Sequence, residues 1–186
     1  MSRRPAPPRF NCADQARATW IERADRAVDL VEAALPGLQP PVRLADLGCG
    51  DQKLRARLER RELPVEYRGF DLVPQAAEVL RYDITSDPPP EECDIFVLLG
   101  VVEYLKDVPA ALARLAPACR RLIVSHVVSN RTRYAKEDLE RLGWITHMTE
   151  DAFAALLRAA GFAIERALVT EEGRIVVWLC SPVAAP

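Results

Sequence analysis

Three aspartates and two glycines carry the clearest chemical information in this sequence. Asp46, Gly48 and Gly50 lie close together, directly after an apolar run that predicts a strand. Glycine suits such a turn because it adopts backbone angles closed to other residues and lets a ligand press against the backbone. A carboxylate at the end of the strand can bind a ligand's ammonium group or a ribose hydroxyl. The pattern predicts a nucleotide-like cofactor, and an ordinary strand-to-helix turn is the alternative.

Two further acids favour the nucleotide interpretation. Asp71 ends a second predicted strand about 20 residues beyond the glycine turn, where a ribose-binding acid is expected. Asp83 lies in a short third strand. Acids at the ends of successive parallel strands converge on one crevice. Asp71 is suited to the hydroxyls of a ribose, and Asp83 to the exocyclic amine of an adenine.

Alternating helices and strands must position these acids. Apolar periodicity predicts helices over residues 14–35, 52–61, 75–80, 108–119 and 152–160. Strands are predicted over residues 42–47, 65–72, 81–85, 94–100, 121–128, 162–170 and 174–179. The run 94–100 is almost continuously apolar, as in a strand buried on both faces. The order predicts an α/β fold with a doubly wound, mostly parallel seven-stranded sheet, helices on both faces and a C-terminal antiparallel hairpin.

Length and composition narrow the class of protein. We expect residues 1–12 to form a flexible, basic, proline-rich tail and residues 13–186 to form one domain with an N-terminal helix. The net charge of −2 gives no general electrostatic reason to bind nucleic acid or an anionic membrane. No apolar run reaches about 18 residues, and the N-terminus lacks the apolar core of a signal peptide.

The five cysteines are scattered and contain no C-x-x-C pair. This argues against a disulfide framework or a zinc site and favours a reducing compartment. We therefore predict a cytoplasmic protein, a monomer or a homodimer, with no membrane association, and the net charge disfavours a nucleic-acid partner.

The ordered motifs resemble the class I S-adenosylmethionine-dependent methyltransferases over residues 42–180. The resemblance rests on Asp46-Leu47-Gly48-Cys49-Gly50, on Tyr67-Arg68-Gly69-Phe70-Asp71, on Tyr82-Asp83-Ile84 and on residues 94–105 and 148–162. It implies S-adenosylmethionine as the cofactor and S-adenosylhomocysteine as its product.

The resemblance also implies which residues bind the cofactor. The glycine turn would pass under the methionine part, Asp71 would hold the ribose, and Asp83 with Ile84 would meet the adenine edge. The residues after the fourth strand would face the cofactor sulfur. The predicted cofactor-binding residues are Asp46, Gly48, Cys49, Gly50, Asp71, Leu72, Asp83, Ile84, Leu99, Gly100, Val101 and Tyr104.

Two departures from related patterns refine the prediction. Gln52 stands where a third small residue is usual in these methyltransferases, and Lys53 stands where a dinucleotide fold usually has its third glycine. Some RNA 3′-end methyltransferases of this fold bind metal through a Glu-x-x-Glu-His cluster. Here those places hold Gly100, Glu103 and Tyr104, so we predict no metal.

Three residues are candidates for catalysis. His126 ends the fifth strand on the ligand side of the sheet, where an imidazole suits a base or a substrate hydrogen-bond partner. The alternative is a histidine bonded to nearby backbone. Glu103 follows the fourth strand, where acceptors commonly approach the methyl group, unless it is a solvated acid at a helix start. His147 precedes the helix that Thr149 begins and is either a base or a loop residue near that cap.

Four residues are candidates for binding the acceptor. The polar segment 129–143 could cover the acceptor site, and it contains Arg131 and Tyr134, with Trp144 directly after it. An arginine there suits a carboxylate or a phosphate, and a solvated loop is the alternative. Trp20, in the first predicted helix, either lines the pocket or packs that helix onto the sheet.

The sequence therefore predicts a metal-independent methyltransferase that moves a methyl group from S-adenosylmethionine to a small-molecule acceptor. Two alternatives remain open. A non-catalytic cofactor-binding interaction subunit would explain the short chain without a cap domain. A nucleic-acid methyltransferase would use the basic tail together with Arg131 and Arg133.

Overall fold

The computed structural model describes residues 18–91, 93–132 and 134–183. The predicted tail and the first residues of the first predicted helix, 14–17, lie outside this part of the chain. The helices are α1 (Ala18–Ala34), α2 (Lys53–Arg60), α3 (Val108–Leu115), α4 (Lys136–Leu142) and α5 (Glu150–Ala159). The strands are β1 (Val42–Leu47), β2 (Val65–Asp71), β3 (Leu80–Arg81), β4 (Ile95–Leu98), β5 (Arg121–Val127), β6 (Phe162–Val169) and β7 (Ile175–Pro182).

These strands form one seven-stranded sheet in the order β3-β2-β1-β4-β5-β7-β6. Strand β7 is antiparallel to both of its neighbours, and the remaining pairs are parallel. The predicted fold class is confirmed. The strand order reverses between β1 and β4, and ligands of such sheets bind beyond the carboxyl ends of the strands at this reversal.

Each face of the sheet carries its own apolar layer, as β4 illustrates. Ile95 and Val97 belong to the layer that includes side chains of α1 and α2, whereas Phe96 and Leu98 belong to the layer with α3 and α5. All of these β4 side chains are fully buried. The uninterrupted apolar run follows from helices covering both faces.

The predictions between β2 and β4 were wrong in detail. Residues 75–79 form turns and bends instead of a helix, and Leu80 already belongs to β3. A helix this short needs a buried face, and Val79 is the one buried side chain of the segment. Strand β3 ends at Arg81, before Asp83. The Asp83 carboxylate accepts hydrogen bonds from the Thr85 backbone N–H at 2.8 Å and the Thr85 hydroxyl at 2.6 Å. Such local side-chain bonds compete with a strand ladder.

Local sequence signals set both ends of α5. The Thr149 hydroxyl accepts a hydrogen bond from the Ala152 backbone N–H at 3.2 Å, as expected of an N-cap. Gly161 follows the helix with a φ of +88°, a conformation that ends many helices. Helix α4 lies within the polar segment 129–143.

Candidate functional site

A cavity of about 260 Å³ lies at the carboxyl ends of β1, β2 and β4, on the reversal in strand order. Every residue predicted to bind the cofactor lines it. Trp20 and Arg23 of α1 contribute to its wall, as does Lys53 at the start of α2. The topology of the backbone therefore brings Asp46, Asp71 and Asp83 together around the cavity that the glycine turn also lines.

Gly48 is required by the shape of the cavity wall. Its φ is +81°, and a Cβ atom at this position would lie 2.5 Å from Cγ2 of Val101. Any other residue would be strained and would collide with the opposite wall. The turn therefore leaves an open cradle between β1 and the residues that follow β4.

Asp46 places a buried carboxylate at the end of β1. It is 3% exposed and accepts a hydrogen bond of 2.8 Å from the Tyr67 hydroxyl. Burial raises the pKa of Asp46 to about 7, against the opposing effects of the Tyr67 hydrogen bond and the charge of Arg23. A cationic group bound beside this carboxyl would favour its ionised form.

Asp71 joins the end of β2 to the glycine turn. One carboxylate oxygen accepts the Gly50 backbone N–H and the other accepts the Val73 backbone N–H, both at 2.9 Å. Since each carboxylate oxygen can accept more than one hydrogen bond, Asp71 keeps acceptor capacity for hydroxyl groups. The two backbone bonds fix the direction in which that capacity faces.

Asp83 is also fixed by its neighbours. The hydrogen bonds from Thr85 lower the pKa of Asp83 below its usual value despite partial burial. The carboxylate is therefore ionised at neutral pH and can accept a hydrogen bond from an amine.

The side chain of Gln52 does not line the cavity. Its amide donates to Glu78 at 3.0 Å and accepts from Arg55 at 3.3 Å. The residue has a φ of +60°, a left-handed conformation that usually favours glycine. The departure from a small residue at this position thus affects the backbone at the start of α2, whereas the extra side-chain atoms point to the surface.

Arg23 is a buried, charged cavity residue that sequence interpretation missed. It is 6% exposed, and its guanidinium packs against Gly100, where a Cβ atom would lie 2.9 Å from Cζ. The Trp20 ring covers the same guanidinium, with Cζ 4.7 Å from the ring centroid. The sequence did carry a signal for this residue. Arg23 lies on the same face of α1 as Ala27, and that face is otherwise apolar.

The predicted catalytic residues do not line the cavity. Glu103 is 1% exposed and His126 is fully buried. Glu103 Oε1 accepts the Val127 backbone N–H at 2.9 Å and lies 3.4 Å from His126 Nδ1. His126 Nε2 accepts the Met148 backbone N–H at 3.0 Å. Both side chains bond to groups of the protein, as the alternative interpretation of His126 expected.

Charge and burial have opposite effects on the pKa of Glu103. Burial alone raises the pKa of Glu103, but the neighbouring His126, the charge of Arg23 and the Val127 N–H together hold it below its usual value. Glu103 is therefore an ionised, buried carboxylate. Burial lowers the pKa of His147, and the neighbouring His126 adds to the effect.

The predicted acceptor-binding residues separate into three places. Trp20 lines the cavity. Tyr134 and Trp144 form an aromatic cluster with His147, with ring centroids 5.2 to 6.0 Å apart. This cluster adjoins the cavity through Gly143, whose Cβ position is 3.8 Å from Tyr104. Arg131 instead pairs with Glu150 at 2.6 Å, away from the cavity wall.

Within the part of the chain that the structure describes, little supports a metal site, a membrane-spanning helix or a reactive thiol. No three His, Cys, Asp or Glu residues within it are arranged to hold a metal ion. No helix among these residues is long and apolar enough to cross a membrane. Burial raises the pKa of Cys49 to about 12, with the charges of Asp46 and Asp71 adding to the effect, so its thiol stays protonated beside the glycine turn.

A doubly wound sheet with a glycine turn and strand-end acids around one cavity defines an α/β domain of the nucleotide-cofactor-binding class. The chain belongs to the family of methyltransferase domains, whose sequence profile matches residues 19–167. No curated protein matches the sequence.

Several solved methyltransferase structures share the fold. The O-methyltransferase NcsB1 from neocarzinostatin biosynthesis, in complex with S-adenosyl-L-homocysteine and 1,4-dihydroxy-2-naphthoic acid, has 20% identity and a TM-score of 0.62 over 76% of this chain and 49% of its own. The mitomycin 7-O-methyltransferase MmcR has 21% identity and a TM-score of 0.61 over 92% and 59%.

A third structure is the N,N-8-amino-8-demethyl-D-riboflavin dimethyltransferase RosA from Streptomyces davawensis. It has 22% identity and a TM-score of 0.62 over 92% of this chain and 58% of its own. The present chain thus spans from 49% to 59% of the length of these three proteins.

Proposed function

We propose that this protein transfers a methyl group from S-adenosylmethionine to a small-molecule acceptor without a metal ion. The observation that carries the proposal is the convergence of the glycine turn with Asp46, Asp71 and Asp83 on one cavity. The complex of NcsB1 with S-adenosyl-L-homocysteine and a naphthoic acid supports both the cofactor and the class of acceptor.

The residues of the cavity fit this cofactor in kind and in place. Asp71, held by Gly50 and Val73, would accept the ribose hydroxyls through its remaining lone pairs. Asp83 would accept the adenine amine, and Ile84 would pack against the ring edge. The open cradle at Gly48 would admit the methionine part, since a Cβ atom there would fill it.

The bound cofactor would supply an electrophilic methyl carbon and its leaving group. The chain must then orient an acceptor atom in line with that carbon and exclude water. Leu99, Val101, Tyr104 and Leu105 make this wall apolar and aromatic. Because His126, Glu103 and His147 do not line the cavity, we assign them to positioning the wall and not to proton transfer.

Calorimetry with S-adenosylmethionine and S-adenosylhomocysteine tests the cofactor directly. We expect Asp71→Asn to weaken both ligands by about 10- to 100-fold, because a charged acceptor of the ribose hydroxyls is lost. Asp138→Asn is a matched control, since Asp138 lies in α4, pairs with Arg141 and does not line the cavity. No binding to the parent protein would refute the proposal.

Methyl transfer from labelled cofactor tests the class of acceptor. Purified protein is incubated with a cell extract and labelled cofactor, and the proposal expects a labelled small molecule that forms only when the protein is added and that chromatography separates from the cofactor. Label retained with RNA or DNA would favour the nucleic-acid alternative. The described residues offer little for it, since Arg131 is already paired with Glu150, and Arg133 lies outside them. No labelled product that depends on the added protein, despite cofactor binding, would favour a non-catalytic subunit.

A reducing, cytoplasmic environment is part of the proposal. Among the described residues, Cys49, Cys93, Cys119 and Cys180 are free and buried. Buried thiols that stay unpaired are ordinary where the medium is reducing.

A further inference from the structure

Arg114, in the last turn of α3, bonds to the loop that follows β3. Its guanidinium donates a hydrogen bond to the carbonyl oxygen of Ile84, which lines the cavity. Arg114 itself is half-buried and does not line the cavity. A basic residue in the last turn of a helix usually interacts with the final carbonyl groups of that helix. This side chain instead couples α3 to the cavity wall.

The loop is held together by bonds among its own residues. The Asp83 carbonyl oxygen accepts the N–H groups of Ser86 at 3.1 Å and Asp87 at 2.8 Å. The Asp83 N–H donates to the Asp87 carboxylate at 2.8 Å, and the Asp83 carboxylate accepts from Thr85. These bonds fix the shape of residues 83–87, but they do not fix the orientation of the loop relative to the rest of the cavity.

Bonds from two other elements orient the loop. Strand β2 holds its start, because the Tyr82 N–H donates to the Asp71 carbonyl oxygen at 2.9 Å. Helix α3 holds Ile84 through Arg114. The guanidinium also lies near the Tyr82 side chain, since burial raises the pKa of Tyr82 and the charge of Arg114 opposes that effect. The positions of Ile84 and of the adjacent Asp83 therefore depend on α3 as well as on β2.

The direction of the Asp83 carboxylate decides which purine the cavity favours. An ionised carboxylate can only accept hydrogen bonds. The exocyclic amine of adenine can donate to it, whereas the keto oxygen of hypoxanthine would meet it with another lone pair. A site built to hydrogen-bond one group rejects an analogue that lacks this group, provided that the protein holds its own partner in place.

We propose that Arg114 is a positioning residue that, through Ile84, holds Asp83 where it selects an amino-purine over a keto-purine. The inference rests on the proposed function, because the purine would be the adenine of the cofactor. Arg114 touches no ligand. It sets the base selectivity of the cavity from a helix that does not line it.

A cycle that changes both the protein and the base tests this assignment. Calorimetry compares S-adenosylhomocysteine with S-inosylhomocysteine, in which a keto oxygen replaces the exocyclic amine, on the parent protein and on Arg114→Met. We expect the parent to prefer the adenine ligand by about 10- to 100-fold, and Arg114→Met by less than about threefold. Methionine keeps much of the side-chain length but cannot donate to the Ile84 carbonyl. Arg114→Lys, which retains a donor, should recover a large part of the preference.

The ratio of the two affinities separates positioning from a general loss of structure. A destabilised fold would weaken both ligands equally and leave their ratio unchanged. Arg120→Met is the matched control, since Arg120 pairs with Asp94 and does not line the cavity. This variant should keep the preference of the parent.

The outcomes also separate this inference from the proposed function. An unchanged preference in Arg114→Met would overturn the inference alone. Equal affinities of the parent for the two ligands would overturn it as well, because Asp83 would then select neither base. No binding of S-adenosylhomocysteine to the parent would overturn the proposed function and the role of Arg114 together.

Discussion

Nε2 of His126 accepts a 3.0 Å hydrogen bond from the backbone N–H of Met148. Since this nitrogen accepts, the proton of the neutral imidazole lies on Nδ1, which faces Glu103 at 3.4 Å. The hydrogen bond of one nitrogen thus sets the tautomer of the ring. His126 links the end of β5 to the chain that enters α5.

Glu103 makes the matching link through its backbone. Its carbonyl oxygen accepts the N–H groups of Ile145 at 2.7 Å and Thr146 at 3.0 Å. Glu103 belongs to the same short 3-10 turn as Tyr104, which lines the cavity. The buried pair therefore ties residues 145–148 to the turn that forms one wall of the cavity.

Replacing His126 should remove the hydrogen bond of the Met148 N–H without abolishing cofactor binding. His126→Phe keeps a ring to stack on Phe153, whose centroid is 4.7 Å away, but it removes the acceptor for the Met148 N–H. We expect hydrogen exchange at the Met148 amide to become at least about tenfold faster, consistent with a lost hydrogen bond of about 1–2 kcal/mol. His126→Gln, which retains an acceptor, should recover most of the protection.

A variant in α4 serves as the control for the exchange measurement at Met148. Lys136→Ala removes an exposed ion pair with Glu140 in α4 and should not alter exchange at Met148. Faster exchange throughout β5 as well, or a large loss of S-adenosylhomocysteine affinity in His126→Gln, would contradict a positioning role.

Asp46 should make the ligand-free protein less stable as pH rises. Its pKa is raised from an ordinary value of 3.8 to about 7 in the folded chain, mainly by burial. The folded state therefore holds this proton more tightly than the unfolded state does. The resulting stabilisation is complete below the unfolded pKa and is lost as pH rises through about 7.

Asp46→Asn removes this titration and serves as the test. At about pH 8 the variant should melt several degrees above the parent, whereas at about pH 5 the difference should shrink. The asparagine oxygen can still accept from Tyr67, so the fold should persist. A gain in melting temperature of the same size at both pH values would show that ionisation of Asp46 is not its cause.

Cofactor binding should show the opposite dependence on pH. If Asp46 binds an ammonium group, the ligand prefers the ionised carboxylate, and binding below about pH 7 must displace a proton. S-adenosylhomocysteine affinity of the parent should rise from about pH 6 to about pH 8 and then level off. Calorimetry on Asp46→Asn should give weaker binding with a flat profile over that range.

Local sequence signals were enough to predict β1, the glycine turn and the acid at the end of β2. Strand β1 runs from Val42 to Leu47, as predicted, because an apolar run lies between the prolines at 40 and 41 and the glycine turn. Asp71 was found through its distance from that turn. In a parallel sheet, strand ends meet by topology, so spacing along the chain suffices.

Residues whose surroundings depend on tertiary packing were harder to place. Arg23 faces the cavity because α1 packs against α2. Asp25 of α1 pairs with Arg57 of α2 at 3.0 Å. The local sequence pattern does not predict this packing. Glu103 and His126 were correctly placed after β4 and on β5. Their burial depends on the return of residues 145–148, which lie far along the chain.

Gln52→Gly should leave cofactor affinity nearly unchanged. The Gln52 side chain bonds to Glu78 and Arg55 outside the cavity wall, so its removal takes no group from the ligand. Relief of the left-handed backbone, about 1 kcal/mol, is offset by lost hydrogen bonds and by the greater freedom of glycine in the unfolded chain. Calorimetry should give affinities within about twofold, and a tenfold change would mean that the side chain reaches the ligand.

Gly48→Ala should damage both folding and binding, for two separable reasons. The new Cβ atom would meet Cγ2 of Val101 at 2.5 Å, and the φ of +81° would be strained for alanine. We expect a loss of about 1–3 kcal/mol in the free energy of unfolding, measured by urea denaturation, and loss of detectable S-adenosylhomocysteine binding. Val101→Ala in the same chain removes the collision but not the backbone strain. The double variant should therefore recover part of the stability, and recovery of none would show that the collision with Val101 contributes nothing.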